Sequence, residues 1–162
     1  MSPAETGITP GMTLDFLVSA EVRSYMGRDS LSLRVEDWRQ SERVQKQAQA
    51  AQLAYEAYRR GEKLPSLVYY QRLCPHRKDL VAVYQLVQKG SQTVSQLCET
   101  LAPLGMNLGR ARVCTAVFSE LGLLDYDAVT DTVSAVANPE KHDLTDSALY
   151  CGLLKYAQGQ EQ

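Results

Sequence analysis

The sequence predicts an α+β fold that is mostly helical, with a β-hairpin, a linker helix and a compact helical domain that carries a short ribbon. Three observations predict it. The segment from Leu14 to Trp38 contains strand patterns, a run rich in Ala, Gln, Glu and Arg begins at Ser41, and helical patterns interrupted by two short strand patterns follow Pro65. We therefore divide the chain into residues 1–40, 41–64 and 65–162.

The first segment predicts an antiparallel hairpin over residues 14–38. Apolar and polar residues alternate from Leu31 to Val35, and Leu14 to Val22 is a second β-prone run. Met26-Gly27-Arg28-Asp29 between them has turn chemistry. Because two strands alone are marginal in water, we expect the apolar face to pack on the linker helix or on a second copy, with the hairpin edges forming a homodimer contact.

The second segment predicts a linker helix. Ser41 is a suitable N-cap, and Arg59-Arg60-Gly61 supplies basic residues in the last turn and glycine at C′.

The third segment predicts three helices, a two-stranded ribbon and a closing helix, which is the pattern of a winged helix. The first helix starts near Pro75, and Gly90 ends it. The elements that follow are a short helix with Leu97 and Leu101, the helix GRARVCTAVFSELG, strands at 123–126 and 132–136, and a helix from about Leu144 to Tyr156.

Composition sets limits on function. The chain has 162 residues, 44% of them hydrophobic, and a formal charge of −2, so no global basic excess indicates nucleic-acid binding. No apolar run reaches the roughly 18 residues of a membrane span, and the start lacks a secretory signal, so we expect a cytoplasmic protein without a membrane partner.

Catalytic and metal motifs are not found in the sequence. Cys74, Cys98, Cys114 and Cys151 have no C-x2-4-C spacing, which favours buried thiols over a zinc site. Walker, dinucleotide, H-E-x-x-H and G-x-S-x-G patterns do not occur. Asp125, Asp127 and Asp131 lack the glycine and final glutamate of an EF-hand loop, and we interpret them as a solvated acidic turn. We expect no catalytic residue, cofactor or metal in this chain.

Charge is segregated along the chain. Residues 59–78 hold six basic residues and one acid, whereas residues 120–147 hold seven acids and one lysine. Two interpretations stay open: two solvated faces, or a basic patch for phosphates or an acidic protein tail. The candidate binding residues are Arg59, Arg60, Arg72, Arg77 and Lys78. The third predicted helix, which would read duplex DNA, carries only Arg110 and Arg112 after Asn107, and this favours a protein-contact module.

The segment EVRSYMGRDSLSLRVEDWRQSE resembles the end of the oligonucleotide-binding (OB) domain of bacterial RecJ single-stranded-DNA-specific exonucleases. The segments CPHRKDLVAVYQLV, ARVCTAVFSELGLL and DLTDSALY resemble the C-terminal domain of RecJ proteins of the Firmicutes type. The matching residues are Gly27, Arg28, Ser30, Leu31, Leu33, Asp37, Arg39, Pro75, Arg77, Phe118, Glu120, Leu121, Gly122, Leu123, Leu144, Ser147 and Tyr150.

The resemblance implies a non-catalytic C-terminal piece of a RecJ protein, with a hairpin remnant of the OB barrel. The family's nuclease activity resides in DHH domains that bind two Mn²⁺ or Mg²⁺ ions, and no D-H-H triplet occurs here. The resemblance also implies weak contact with single-stranded DNA and docking of the acidic tail of single-strand-binding protein, in DNA recombination and repair. The alternative function is a free-standing winged helix that binds duplex DNA in transcription or replication initiation.

Overall fold

The computed structural model describes residue 8 and residues 12–159. The fold is α+β and mostly helical, as predicted. The chain divides into two compact units, Met1–Gln47 and Ala48–Gln162. The predicted segments 1–40 and 65–162 extend at their outer ends over residues that lie outside the described ones.

The first unit contains the predicted hairpin, formed by strands β1 (Leu14–Tyr25) and β2 (Arg28–Gln40). Met26 and Gly27 form the turn with φ of 49° and 73°, and two consecutive positive φ angles give the primed turn whose twist matches that of the strands. The predicted turn was two residues too long, because Arg28 already pairs with Tyr25. A bulge interrupts the register between Leu17 and Val18.

The two faces of the hairpin differ in chemistry. One face carries the apolar cross-strand pairs Phe16–Trp38, Val18–Val35, Ala20–Leu33 and Val22–Leu31. The other face carries polar pairs and the ion pair Arg23 Nη2–Glu21 Oε2 at 2.9 Å. The apolar face was expected to be buried, but Leu31, Leu33 and Val35 are more than half exposed. The homodimer through this hairpin stays a prediction.

Helix α1 (Glu42–Arg59) begins one residue after the predicted cap Ser41 and crosses from the first unit into the second. It ends in a Schellman motif, as its glycine predicted: Glu62 N donates to Ala57 O and Gly61 N donates to Tyr58 O, both at 3.0 Å, with Gly61 at φ 77°.

The second unit continues with five helices and three short strands. Its elements are α2 (Leu67–Leu73), α3 (Arg77–Lys89), β3 (Gln92–Thr93), α4 (Val94–Leu101), α5 (Leu108–Glu120), β4 (Leu124–Asp127), β5 (Thr132–Ala135) and α6 (Ala148–Ala157), with 3-10 turns at Ala102–Leu104 and Leu144–Asp146. The strands form one antiparallel sheet in the order β3-β5-β4. The sequence analysis did not predict α2 or β3, and the closing helix was predicted as one element from Leu144.

Local hydrogen bonds explain these boundaries. The Thr93 hydroxyl accepts from Gln96 N at 3.1 Å and begins α4, and the Asn107 side chain accepts from Arg110 N at 2.9 Å and begins α5. Ser147 is extended, and its hydroxyl accepts from Tyr150 N at 3.1 Å, so α6 starts there instead of continuing from Leu144.

The core of the second unit forms around α5. Its fully buried side chains come from helices α2 to α6 and from the sheet: Leu73, Leu80, Val83, Val87, Val94, Leu97, Val113, Val117, Leu124, Val133 and Leu153.

Candidate functional site

The five candidate basic residues are exposed and lie at the ends of three helices. Arg59 ends α1 and Arg72 lies in the last turn of α2, where a positive side chain complements the helix dipole. Arg60 follows α1, and its guanidinium Nε lies 2.6 Å from Glu62 Oε1. This hydrogen bond lowers the pKa of Glu62 and raises the pKa of Arg60.

The other two candidates, Arg77 and Lys78, occupy the first turn of α3. Cations at a helix N-terminus are opposed by the helix dipole, so this placement does not stabilise α3. Asp79 supplies the stabilising charge instead, because its carboxylate accepts from His76 N at 2.9 Å. The charge of Arg77 also contributes to lowering the pKa of Asp143, after two larger contributions from hydrogen bonds with Thr145.

Beside Arg59 lies a cavity of about 530 Å³, which we call the tyrosine pocket. It is lined by Tyr58, Arg59, Gly61, Glu62, Lys63, Tyr70, Leu149 and Tyr156. The rings of Tyr70 and Tyr156 are stacked, with centroids 4.9 Å apart and planes 16° apart. Tyr58 contacts both rings edge-on, at centroid distances of 6.2 and 6.5 Å.

The three phenols of this pocket differ in their surroundings. Tyr70 is buried, and its hydroxyl accepts from Leu64 N at 2.9 Å. Tyr156 is 41% exposed. Partial burial, followed by the influence of Tyr156 and Tyr70, raises the pKa of Tyr58 to about 12, so its hydroxyl stays protonated at neutral pH.

The sequence leaves Tyr69 and Tyr70 open as an aromatic platform or as core residues, and it does not single out Tyr58 or Tyr156 as site residues. The one available signal was Tyr58 next to Arg59 and Arg60 at a helix end. The stack itself joins α1, α2 and α6, and no spacing in the sequence indicates that these helices meet.

The two arginines of α5 are engaged inside the second unit. Arg110 lies 3.5 Å from the buried carboxylate of Asp79 and donates to the backbone oxygens of Arg72 and Gln71, each at 3.2 Å. These contacts link the start of α5 to the end of α2 and the start of α3.

Arg112 makes a second set of internal contacts. Its guanidinium contacts both carboxylate oxygens of Asp131, at 2.9 and 3.2 Å, and also Tyr126 Oη at 3.2 Å and Gln52 Oε1 at 2.5 Å. Between Leu108 and Phe118, no residue of α5 is exposed. Over this stretch, the two arginines of α5 are therefore only partly accessible and are engaged with neighbouring residues.

Most residues of the acidic run serve as local caps. Glu120 accepts from Ser147 Oγ at 2.5 Å and from Ala148 N at 2.9 Å, at the start of α6. Asp143 accepts from Thr145 N, and Asp127 accepts from Val129 N, each at 2.9 Å. The Glu120 contacts join two of the segments that carry the RecJ resemblance.

Within residues 8 and 12–159, no group of three or more His, Cys, Asp or Glu side chains could hold a metal ion. All four cysteines are free; Cys74 and Cys114 are buried, and Cys98 and Cys151 are partly buried. Burial raises the pKa of the thiols of Cys74, Cys98 and Cys114. Over the same described residues, no helix is long and apolar enough to cross a bilayer.

No protein-family model, no curated protein and no solved structure matches this chain.

Proposed function

We propose that this chain is a non-catalytic C-terminal segment of a RecJ-like 5′–3′ single-stranded-DNA exonuclease that supports single-strand handling and partner docking in recombination and repair. The observation that carries the proposal is a division of the basic residues. Arg110 and Arg112 of α5 are held by internal partners, whereas Arg59, Arg72, Arg77 and Lys78 are exposed and form no ion pair with any described residue.

This division argues against the alternative function, a duplex-DNA-binding winged helix. Major-groove readout needs several exposed side chains on the inserted helix. One side of α5 is packed against α1 and α2, because the carbonyl oxygen of Ala51 and the side chain of Leu73 lie against Gly109.

Two of the residues that resemble RecJ motifs, Glu120 and Ser147, are hydrogen-bonded to each other, so these positions form a junction that stabilises the fold. The hairpin has one exposed apolar face, and strands at the end of an OB barrel likewise have an apolar face, which the rest of the barrel buries. In this proposal, Mn²⁺ or Mg²⁺ belongs to the catalytic domains of the parent enzyme, the protein is cytoplasmic, and single-stranded DNA binds weakly.

The basic residues fit phosphates or an acidic peptide, because both are polyanions and the exposed charges lie at successive helix ends. The test measures binding of a labelled (dT)20 strand and of an acidic peptide by fluorescence anisotropy across a salt series. We expect both affinities to fall as salt rises, and to fall further in the double variant Arg72→Glu/Arg77→Glu.

A matched control distinguishes a site from a general charge effect. Arg77→Glu and Lys89→Glu change the charge equally at opposite ends of α3, about 18 Å apart at 1.5 Å per residue. Only Arg77→Glu should weaken binding. Equal binding by the wild type and the Arg72→Glu/Arg77→Glu variant would show that the basic segment is merely a solvated surface.

The proposal also predicts that the chain has no nuclease activity of its own. A purified sample should leave 5′-labelled single strands intact with and without Mn²⁺, because no D-H-H triplet occurs in the sequence. Degradation that depends on the metal and persists through repeated purification would contradict this.

A further inference from the structure

We infer that the tyrosine pocket is a subsite for one nucleobase of a single-stranded nucleic acid, with the base stacked on Tyr156 and the adjoining phosphate held by Arg59. The inference rests on the proposed role in single-strand handling, and it adds the ring of Tyr156 to the predicted binding residue Arg59.

The first argument is the geometry of the aromatic stack. Tyr70 covers one face of the Tyr156 ring at a centroid distance of 4.9 Å, and Tyr58 meets it edge-on at 6.5 Å. Tyr156 is nevertheless 41% exposed, so its accessible area belongs to the opposite face and the remaining edge. A planar ring placed on that face extends the stack, which is how single-strand-binding proteins engage bases.

The second argument is charge. Arg59 lines the pocket, and the one acid among the lining residues, Glu62, is paired with Arg60 at 2.6 Å. Arg59 forms no ion pair with any described residue. It is close enough to Tyr58 that its positive charge lowers the pKa of Tyr58, although burial raises that pKa by more. A cation beside a stacking platform suits a nucleotide, which has an anionic phosphate beside a planar base.

Free hydroxyl groups at the pocket favour a base over the side chain of a phenylalanine. The hydroxyls of Tyr58 and Tyr156 form no hydrogen bond with any described residue, whereas that of Tyr70 is engaged with Leu64 N. Two phenols therefore have free hydrogen-bonding capacity at the pocket. The edge of a base has donors and acceptors for them, whereas the ring of a phenylalanine has none. The cavity volume of about 530 Å³ lies within the range of small-ligand sites.

The experiment compares two labelled strands of equal length and charge, (dT)12 and a fully abasic strand, on the full chain at low salt. We expect the wild type to bind (dT)12 roughly 5- to 150-fold more tightly, which is the range for stacking one base on an aromatic side chain. Tyr156→Leu preserves apolar volume but removes the ring, and it should abolish this difference while leaving binding of the abasic strand unchanged.

Two further variants serve as controls for folding and position. Tyr156→Trp retains a ring and should keep the preference for (dT)12. Tyr69→Leu removes a tyrosine of similar exposure on α2 that does not line the pocket, and it should also keep the preference. If Tyr156→Leu lowers the melting temperature, Tyr156→Trp still tests whether the ring carries the base preference.

The inference is wrong if the wild type binds both strands equally or if Tyr156→Leu keeps the preference. It is also wrong if an acidic peptide ending in phenylalanine displaces (dT)12 and loses its own binding in Tyr156→Leu, because the pocket would then be a peptide site. These outcomes are separable from the proposed function. Weakening of both strands by Arg72→Glu/Arg77→Glu, with no effect of Tyr156→Leu, leaves the basic segment supported and removes only the base subsite.

Discussion

Helices α1 and α2 approach α5 closely at Gly109, and this contact permits a sharp prediction. A methyl group added at Gly109 would lie 2.6 Å from the carbonyl oxygen of Ala51 and 2.6 Å from Leu73 Cδ2. The first of these atoms belongs to the backbone of α1 and cannot move without the helix. Gly109→Ala should therefore displace α1 from α5.

Two opposing effects set the size of the change. Alanine is favoured over glycine inside a helix by about 1 kcal/mol. Inserting a methyl group into a packed interface costs about 1–3 kcal/mol when backbone must shift, and distances this short place Gly109 at the upper end. We expect a net loss of about 1–2 kcal/mol in the free energy of unfolding.

Gly152 provides the matched control within the same unit. A methyl group there would lie 3.1 Å from Tyr58 Oη, which is the end of a side chain that can move. Gly152→Ala should therefore stay within about 0.5 kcal/mol of the wild type or gain up to about 1 kcal/mol.

The assay is urea unfolding followed by far-UV circular dichroism, which reports mainly on the helices. The single tryptophan, Trp38, lies in the hairpin, so its fluorescence follows the first unit separately. A lower midpoint with an unchanged m-value is the expected result for Gly109→Ala. The reasoning is refuted if this variant is as stable as Gly152→Ala.

Three further predictions concern other contacts. Asp131→Asn keeps a residue that tolerates the φ of 54° but removes the negative charge that contacts Arg112. Urea unfolding should show that the free energy of unfolding falls by about 1–2 kcal/mol. An unchanged free energy of unfolding would contradict a stabilising role of this ion pair. The pKa of Tyr58 is raised to about 12, against 10 in the unfolded chain, so its protonated hydroxyl contributes fully to the stability of the fold below pH 10 and this contribution is lost as the pH rises to 12. The melting temperature should therefore fall less steeply between pH 10 and 12 in Tyr58→Phe than in the wild type. An identical slope would refute this. The exposed apolar face of the hairpin predicts a homodimer, which light scattering should detect. Leu33→Glu should dissociate the dimer, and Ser32→Glu, on the opposite face, should not. A monomeric wild type would rule out the homodimer.

Elements with a local cause could be predicted from the sequence. The α1 boundary follows from Ser41 and Gly61, and the hairpin follows from alternation around a Met-Gly turn. A helix begins at a residue other than the predicted one where a side chain at the boundary caps the backbone instead of continuing the helix. Ser147 caps α6 and contacts Glu120, so the predicted helix from Leu144 begins only at Ala148.

Features that depend on distant packing could not be predicted. Helix α2 has seven residues and no side-chain cap, and it is stabilised by burial of Tyr70 and Leu73. The two-residue strand β3 exists only through its pairing with β5. The tyrosine pocket forms where three helices meet. The close packing of α1 and α2 on α5 depends on the missing side chain of Gly109, and only the packed structure shows which atoms lie there.

The fold explains the acidic run of the sequence more fully than it explains the basic run. The acids Glu120, Asp127, Asp131 and Asp143 accept hydrogen bonds from backbone groups, a hydroxyl or Arg112, so local structure accounts for most of the acidic run. The basic run is explained less completely. Arg59 and Arg72 lie in the last turns of helices, where the dipole favours a cation, and Arg60 is paired with Glu62. Arg77 and Lys78 stand at the helix end where cations are disfavoured, and their charges are therefore opposed by the fold. The proposed binding of an anionic single strand depends most on these two residues, because a ligand phosphate would compensate charges that the helix dipole does not.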